Sequence, residues 1–331
     1  MLRVKASLLF AVAVVAGLLA CSSQVASACS ICRCGDATFN SLGIDVFSSG
    51  SFRFALDWER FDKENALSEE HGTMGRRLLH GEEPGKDAEV ENRFTATLSY
   101  TFGETASAVV RLPWSKRRLT TTTFDEEQVP IASTSSSSDL SDPEIYALVR
   151  LYSTPFEPGL GRRTSLSAMA GVKTPWGRND LRDGAERLDE HLQAGTGATD
   201  VYGGLSAVYL LDARSAIFGS ALYRRTGTNA YDYKFGNVTT ASLSYERKLG
   251  GIVDSVLSLD YRHASRDRID ASGTVDENTG GDVLYVGPRI LLDLGSGIVA
   301  RAAAQIPIAQ DLYGDQTERA VLNVGLTYVF R

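Results

Sequence analysis

The sequence predicts an all-β fold: a single transmembrane antiparallel β-barrel with a short Cys-rich periplasmic segment ahead of it. Three observations predict it. Apolar and polar residues alternate with a period of two in segment after segment, which is the pattern of strands and not of helices. Most segments run to ten residues or more, the length of a tilted strand crossing a bilayer (about 9–11) rather than of a soluble strand (about 5–6). The connections between them alternate short and long, as periplasmic turns and outer loops do in bacterial barrels.

The chain opens on an export signal. Arg3 and Lys5 form a basic start, Leu8 to Ala20 an apolar stretch, and Ala26-Ser27-Ala28 a small-residue cleavage site. Past it no apolar run approaches the roughly 20 residues of a spanning helix. Cleavage after Ala28 makes residues 1–28 the signal and Cys29 the first mature residue. The alternative is Leu18-Leu19-Ala20-Cys21, a lipoprotein-like box in which Cys21 would be acylated.

Residues 29–50 form the periplasmic segment. Cys29, Cys32 and Cys34 make the pattern C-x-x-C-x-C, and the rest of the mature chain has no cysteine. The periplasm is oxidising, so Cys29–Cys32 is a plausible disulfide with one thiol left over. Arg33-Cys34 does not continue into the C-x-x-C-H of a haem attachment, because Arg33 follows Cys32 where His would stand. Three thiolates within six residues suit a soft ion, Cu(I) or Zn(II). That metal or redox site leads, with acylation of Cys29 a further option. The segment sits where it could enter the barrel or meet a periplasmic protein partner.

Residues 51–331 make the barrel. Twelve alternating segments lie near 51–60, 92–103, 105–115, 142–153, 163–174, 200–211, 214–225, 234–248, 252–264, 281–294, 298–308 and 319–330. In the first, Phe52, Phe54, Leu56 and Trp58 oppose Arg53, Ala55, Asp57 and Glu59. In the second, Phe94, Ala96, Leu98, Tyr100 and Phe102 oppose Arg93 and a row of Thr and Ser. The last sets Leu322, Val324, Leu326, Tyr328 and Phe330 against Asn323, Gly325 and Thr327. An even number of strands returns both chain ends to the periplasmic side. The long connections 61–91, 116–141, 175–199, 226–233, 265–280 and 309–318 read as solvated outer loops. The first carries nine acidic residues against four basic between Asp62 and Glu91. All four His fall in or beside these loops and read as surface groups. Trp58, Trp114, Trp176, Tyr152 and Tyr328 fit interfacial girdles.

If the apolar faces meet lipid, the other faces line the lumen, because a charge facing lipid costs roughly 2–4 kcal/mol at mid-bilayer. Arg53, Arg93, Arg111, Arg150, Lys173, Asp260, Arg262, Arg289 and Arg301 are then the pore-lining candidates, with Asp57, Glu59, Glu144, Glu246 and Asp293 beside them. This reads as a polar pore with a basic bias. The competing reading is a salt-bridged plug. A net charge of −7 argues against a nucleic-acid binder, and outer-membrane lipid is the expected partner. An outer-rim hydrolase would need a carboxylate and a His on one face. Asp260 and His263 have odd spacing and point to opposite faces, so no catalytic residue is assigned.

The order of "SDPEIYALVRLY" (141–152), "AGVKTPWG" (170–177), "YRRTGTNAYDYKFGN" (223–237), "VGPRILLDLGSG" (286–297) and "AQIPIAQDLYGDQ" (304–316) resembles the outer-membrane transporter-like barrels linked to the phenol meta-degradation pathway. The resemblance covers the chain from about residue 140 to its end. It implies an outer-membrane barrel with a transport role. The expected function is a channel or transporter for small solutes, anionic or aromatic, with the thiol cluster as a metal site. The alternative is a non-conducting barrel serving as an anchor or as a metal or redox sensor.

Overall fold

Each of the twelve alternating segments forms a strand. The computed structural model describes residues 50–66, 86–124, 130–277, 279–314 and 316–330. The export signal and Cys29, Cys32 and Cys34 lie outside the described residues. Fourteen strands form one sheet. In chain order they are β1 (Phe52–Ala66), β2 (Lys86–Phe102), β3 (Ala106–Phe124), β4 (Pro130–Leu140), β5 (Glu144–Ser153), β6 (Thr164–Lys173) and β7 (Asp200–Asp212). They continue as β8 (Ser215–Arg225), β9 (Val238–Gly250), β10 (Val253–Ala264), β11 (Gly281–Gly295), β12 (Ile298–Leu312), β13 (Gln316–Glu318) and β14 (Val321–Phe330).

Twelve of these strands close into a barrel. All neighbours are antiparallel, and the ring closes where β1 pairs β14 with Phe52 opposite Phe330. The other two strands lie outside the ring order: β4 pairs only the outer part of β3, and β13 pairs the outer end of β1. Closure leaves no edge strand within the ring, as a bilayer requires. The outward residues Phe52, Phe54, Leu56, Phe94, Leu98, Leu322, Val324 and Leu326 are exposed on the protein surface, while their neighbours Arg53, Thr95, Thr97 and Ser99 are buried. In a soluble sandwich the apolar face would be the buried one. The inversion is that of a barrel whose outer face meets lipid.

The outer connections hold more strand than their composition suggests. The expected loop 116–141 is a β-hairpin: β3 runs on to Phe124 and β4 returns from Pro130 to Leu140. "TTTT" and "STSSSS" look like loop by polarity. They are nevertheless rich in β-branched or hydroxyl side chains, and Thr120 faces Thr134 across the ladder with their hydroxyls 3.3 Å apart. Such cross-strand pairs favour sheet. The expected loop 61–91 likewise begins and ends as strand, with β1 reaching Ala66 and β2 starting at Lys86.

Two inward-facing glycines let large side chains cross the wall. Gly171 on β6 lies between Tyr146 on β5 and Tyr202 on β7, and a Cβ there would stand 2.7 Å from the Tyr202 ring. Gly325 on β14 lies between Asp57 on β1 and Arg301 on β12, and a Cβ there would stand 2.8 Å from the Arg301 guanidinium.

Candidate functional site

The lumen has two unlike walls. One is formed by β3 and β5–β8. Strand register stacks its inward residues in rows, and the outermost row is charged: Glu144 faces Lys173, which faces Asp200. Arg111 Nη1 donates to Glu144 at 2.8 Å, and Arg224 Nη2 donates to the other Glu144 oxygen at 2.7 Å. Lys173 Nζ stands 2.7 Å from Asp142 and 3.3 Å from Asp200. One row toward the periplasm lie Val109, Tyr146, Gly171, Tyr202 and Arg224. The next holds Leu148, Met169 and Leu222. Val109, Tyr146, Leu148, Met169, Tyr202 and Leu222 form one buried apolar cluster, an oily belt inside the barrel beneath a charged tier. The Tyr146 and Tyr202 rings are 6.3 Å apart, and the Arg224 guanidinium lies 4.7 Å over the Tyr202 ring, a cation–π distance.

The other wall, β9–β12 with β14 and β1, spreads its charged and hydroxyl groups along its length, with a small buried apolar cluster of Val283, Tyr285 and Leu312 among them. Arg301 bonds Asp57 across Gly325 and also donates to Asn323 at 3.3 Å. Asp260 accepts from Ser242 at 2.5 Å, Ser258 at 2.6 Å and Gln305 at 3.3 Å. Arg262 and Tyr285 both bond Glu318 on β13. Arg289 is half-buried here, with Arg301, Asp260 and Glu246 acting on it electrostatically.

The remaining sequence candidates fall on or near these walls. Arg53 is buried near the periplasmic end. Arg93 stands 2.9 Å from Glu91 and 3.9 Å from Glu59. Arg150 sits at the periplasmic rim, where a bulge interrupts β5 and Nη1 donates 2.7 Å to the Glu104 carbonyl. Asp260 faces inward, whereas His263 is on the opposite face with Nδ1 3.0 Å from Asp282. Asp293 is exposed at the periplasmic end of its strand. The expected basic bias is largely offset by carboxylates that the alternation did not count: Glu91, Asp142, Asp200 and Glu318. Arg117 and Arg224 were also missed, and both are fully buried. Arg117 shares parity with Arg111, a signal lost because the segment was ended at residue 115.

The connection 174–199 folds back against the outer end of the charged tier. Asp142 organises it, accepting from the Gly177 amide at 3.0 Å and the Thr196 amide at 2.7 Å. Lys173 donates to Thr196 Oγ1 and, at 3.1 Å, to the Ala198 carbonyl. Arg117 Nη1 reaches the His191 carbonyl at 2.7 Å and the Gln193 carbonyl at 2.8 Å. Gln193 is fully buried and its amide donates to Leu188 at 2.8 Å. A 3-10 turn, Glu190–Leu192, lies within this connection, and Leu192 and Leu188 pack on Leu119.

His191, read as a surface group from sequence, is buried by this packing. Its Nε2 is 3.0 Å from the Tyr233 hydroxyl, which donates to Asp267 at 2.9 Å. Asp267 also accepts from the Gly236 amide at 2.6 Å. Burial pushes the Asp267 carboxyl up to about 6, against the opposing pull of His191 and these hydrogen bonds. Three outer connections thus meet at one carboxylate. His71 and His80 lie outside the described residues, and among the described residues no group of three His, Cys, Asp or Glu is placed to hold a metal.

A closed antiparallel ring of twelve strands, apolar outside and charged within, is an outer-membrane β-barrel. The chain belongs to the family described as "Putative MetA-pathway of phenol degradation", whose model matches residues 85–311, in keeping with the resemblance noted from its motifs. Among solved structures, the chain is similar in fold to an outer membrane channel from Pseudomonas putida F1, with a TM-score of 0.61 at 12% identity over 86% of this chain and 97% of that one. It is also similar to the β domain of a Bordetella autotransporter, with a TM-score of 0.44 at 10% identity over 85% and 100% of the two chains. A toluene transporter of Ralstonia pickettii gives a TM-score of 0.42 at 7% identity over 87% and 91%. No curated protein matches the chain.

Proposed function

We propose that the protein is a channel for small solutes that pair an apolar or aromatic body with a polar or anionic group. The observation that carries this reading is the belt of Val109, Leu148, Met169 and Leu222 beside Tyr146 and Tyr202, set under a charged tier inside a transmembrane barrel. A pore for inorganic ions needs no apolar belt, and a filled core needs no charged tier. Ligand sites are mostly apolar with a few placed polar groups, and this wall has that composition. The fold-level likeness to a channel of Pseudomonas putida points the same way.

The second reading is a non-conducting barrel, an anchor or sensor. It is favoured by connection 174–199, which Arg117 and Asp142 tie against the tier. Planar bilayers separate the two. The channel reading expects stepwise conductance from the purified barrel. A barrel that stays silent, and becomes conductive only when Asp142→Ala frees the connection, supports the second reading instead. A Cu(I) or Zn(II) site at Cys29, Cys32 and Cys34, with a periplasmic partner nearby, is a separate proposal resting on the cysteine spacing. Intact mass of the mature protein before and after EDTA and reductant tests it, with metal-dependent mass expected and an unchanged mass counting against it.

A further inference from the structure

Two hydrogen-bond donors on the tyrosine wall have no acceptor. The Tyr202 hydroxyl and Arg111 Nε are buried without a hydrogen-bond partner among the described residues. Buried donors are nearly always satisfied in folded proteins, so each exception calls for an explanation. The neighbouring acceptors are already committed. Glu144 gives one oxygen to Arg111 and the other to Arg224. Asp200 stands 3.3 Å from Lys173 and 3.1 Å from the Gly227 amide. Around the tyrosine pair, two guanidinium groups therefore share the Glu144 carboxylate, and an acceptor is the one group that serves both Arg111 Nε, which can only donate, and the Tyr202 hydroxyl.

Chemistry of the surroundings narrows the ligand. Leu148, Met169 and Leu222 supply an apolar bed directly below the donors. Tyr146 and Tyr202 supply ring faces whose centroids are 6.3 Å apart. A flat apolar body fits such a bed, and aromatic rings add offset or edge contacts to it. An anionic oxygen accepts from O–H and guanidinium N–H with the strength of a charge-assisted bond. A phenol would offer the donors only a neutral acceptor, weaker than a charged oxygen, and a plain hydrocarbon would leave both donors unpaired.

We infer that the Tyr146–Tyr202 row is a binding site for a small aromatic carboxylate, with the ring on the Leu148, Met169 and Leu222 bed and the carboxylate accepting from Tyr202 Oη. This rests on the reading of the lumen as a solute path and names the solute class for it.

Calorimetry on the full-length, detergent-solubilised protein tests the site, with sodium benzoate and toluene as probes. Benzoate is expected to bind more tightly than toluene. Tyr202→Phe is expected to weaken benzoate about tenfold, the loss of one charged hydrogen bond, while changing toluene less than about twofold. Retained toluene binding shows that the bed is intact. Arg111→Lys keeps the charge but removes Nε–H, and is expected to weaken benzoate severalfold. Benzoate no tighter than toluene, or equal losses for both probes in Tyr202→Phe, would overturn the assignment. The same preparations go into planar bilayers. Benzoate binding with the expected Tyr202 dependence in a barrel that never conducts supports the site and defeats the channel reading. Conductance without that dependence defeats the site and leaves the channel standing.

Discussion

The two walls of the lumen obey the same alternation rule and end in opposite states. On the β9–β12, β14 and β1 wall, charges are matched within the wall: Asp57 with Arg301, Glu318 with Arg262 and Tyr285, Asp260 with two serines and Gln305. On the β3 and β5–β8 wall, charge is gathered in the outer tier and at Arg224 just beneath it, beside apolar side chains and an unsatisfied hydroxyl. A self-matched polar surface offers a passing solute little, since each new contact displaces an existing one. An apolar surface with one orphan donor offers both contact area and direction. Under the proposed channel reading, recognition therefore belongs to the tyrosine wall.

The largest expected effect comes from Arg224→Met. Arg224 is fully buried between Glu144 and Asp200, and its loss takes a cationic partner from two buried carboxylates at once, leaving Glu144 to Arg111 and Asp200 to Lys173. Destabilisation of about 3–5 kcal/mol is expected, measured by urea unfolding of the reconstituted barrel. Arg301→Met on the other wall strands Asp57 alone and should cost roughly half as much. Equal costs would erase the contrast between the walls.

Access to the tyrosine wall should depend on pH through Asp267. Its pKa is raised to about 6 in the packed outer cluster. A raised carboxyl pKa means the packed state holds the proton more tightly. That stabilisation is fully present below the ordinary value near 4 and is lost as pH rises through about 6. The cluster, with His191, Tyr233 and Asp276 around this carboxyl, should pack more firmly at pH 5 than at pH 7. Single-channel records should then show closed dwells severalfold longer at pH 5, and Asp267→Asn should flatten the dependence. A profile that survives Asp267→Asn assigns it to another group.

The smallest effect distinguishes how rigid the walls are. Gly171→Ala puts a methyl against the Tyr202 ring and the Tyr146 Cβ, and the Cβ cannot retreat without moving its strand. Overpacking of this kind costs about 1–3 kcal/mol. Gly325→Ala meets the tips of Asp57 and Arg301, which can swing away, so it should cost less. The comparison is again by urea unfolding, and a reversed order would show the tyrosine wall to be the softer one.

Much of this architecture was legible because alternation encodes a face. It assigned Arg53, Arg93, Arg111, Lys173, Arg262, Arg289 and Arg301 to one side of their strands, and strand length and loop rhythm gave the ring of twelve. Alternation does not encode height along the barrel or the partner across it. Lys173 and Asp142 meet because β6 ends beside the start of β5, a fact of register. The β3–β4 hairpin was hidden because its Thr and Ser are polar on both faces, which leaves no apolar period to detect. The burial of His191 was hidden because it depends on Tyr233, Phe235 and Asp267 from other connections.

The bond between Asp57 and Arg301 has a consequence for how the barrel is made. Its two residues sit on β1 and β12, on either side of β14, so the side chains reach across about 10 Å of sheet. Neither residue is on the strand they bracket. Until the final strand is seated, its two neighbours are not held at that spacing and the bond has no reason to form. It works as a clasp over the seam where β14 joins β1 and β12, one that closes only behind a correctly placed β14. A register slip of one residue in β14 would turn Val324 or Leu326 inward in place of Gly325 and hold the clasp open.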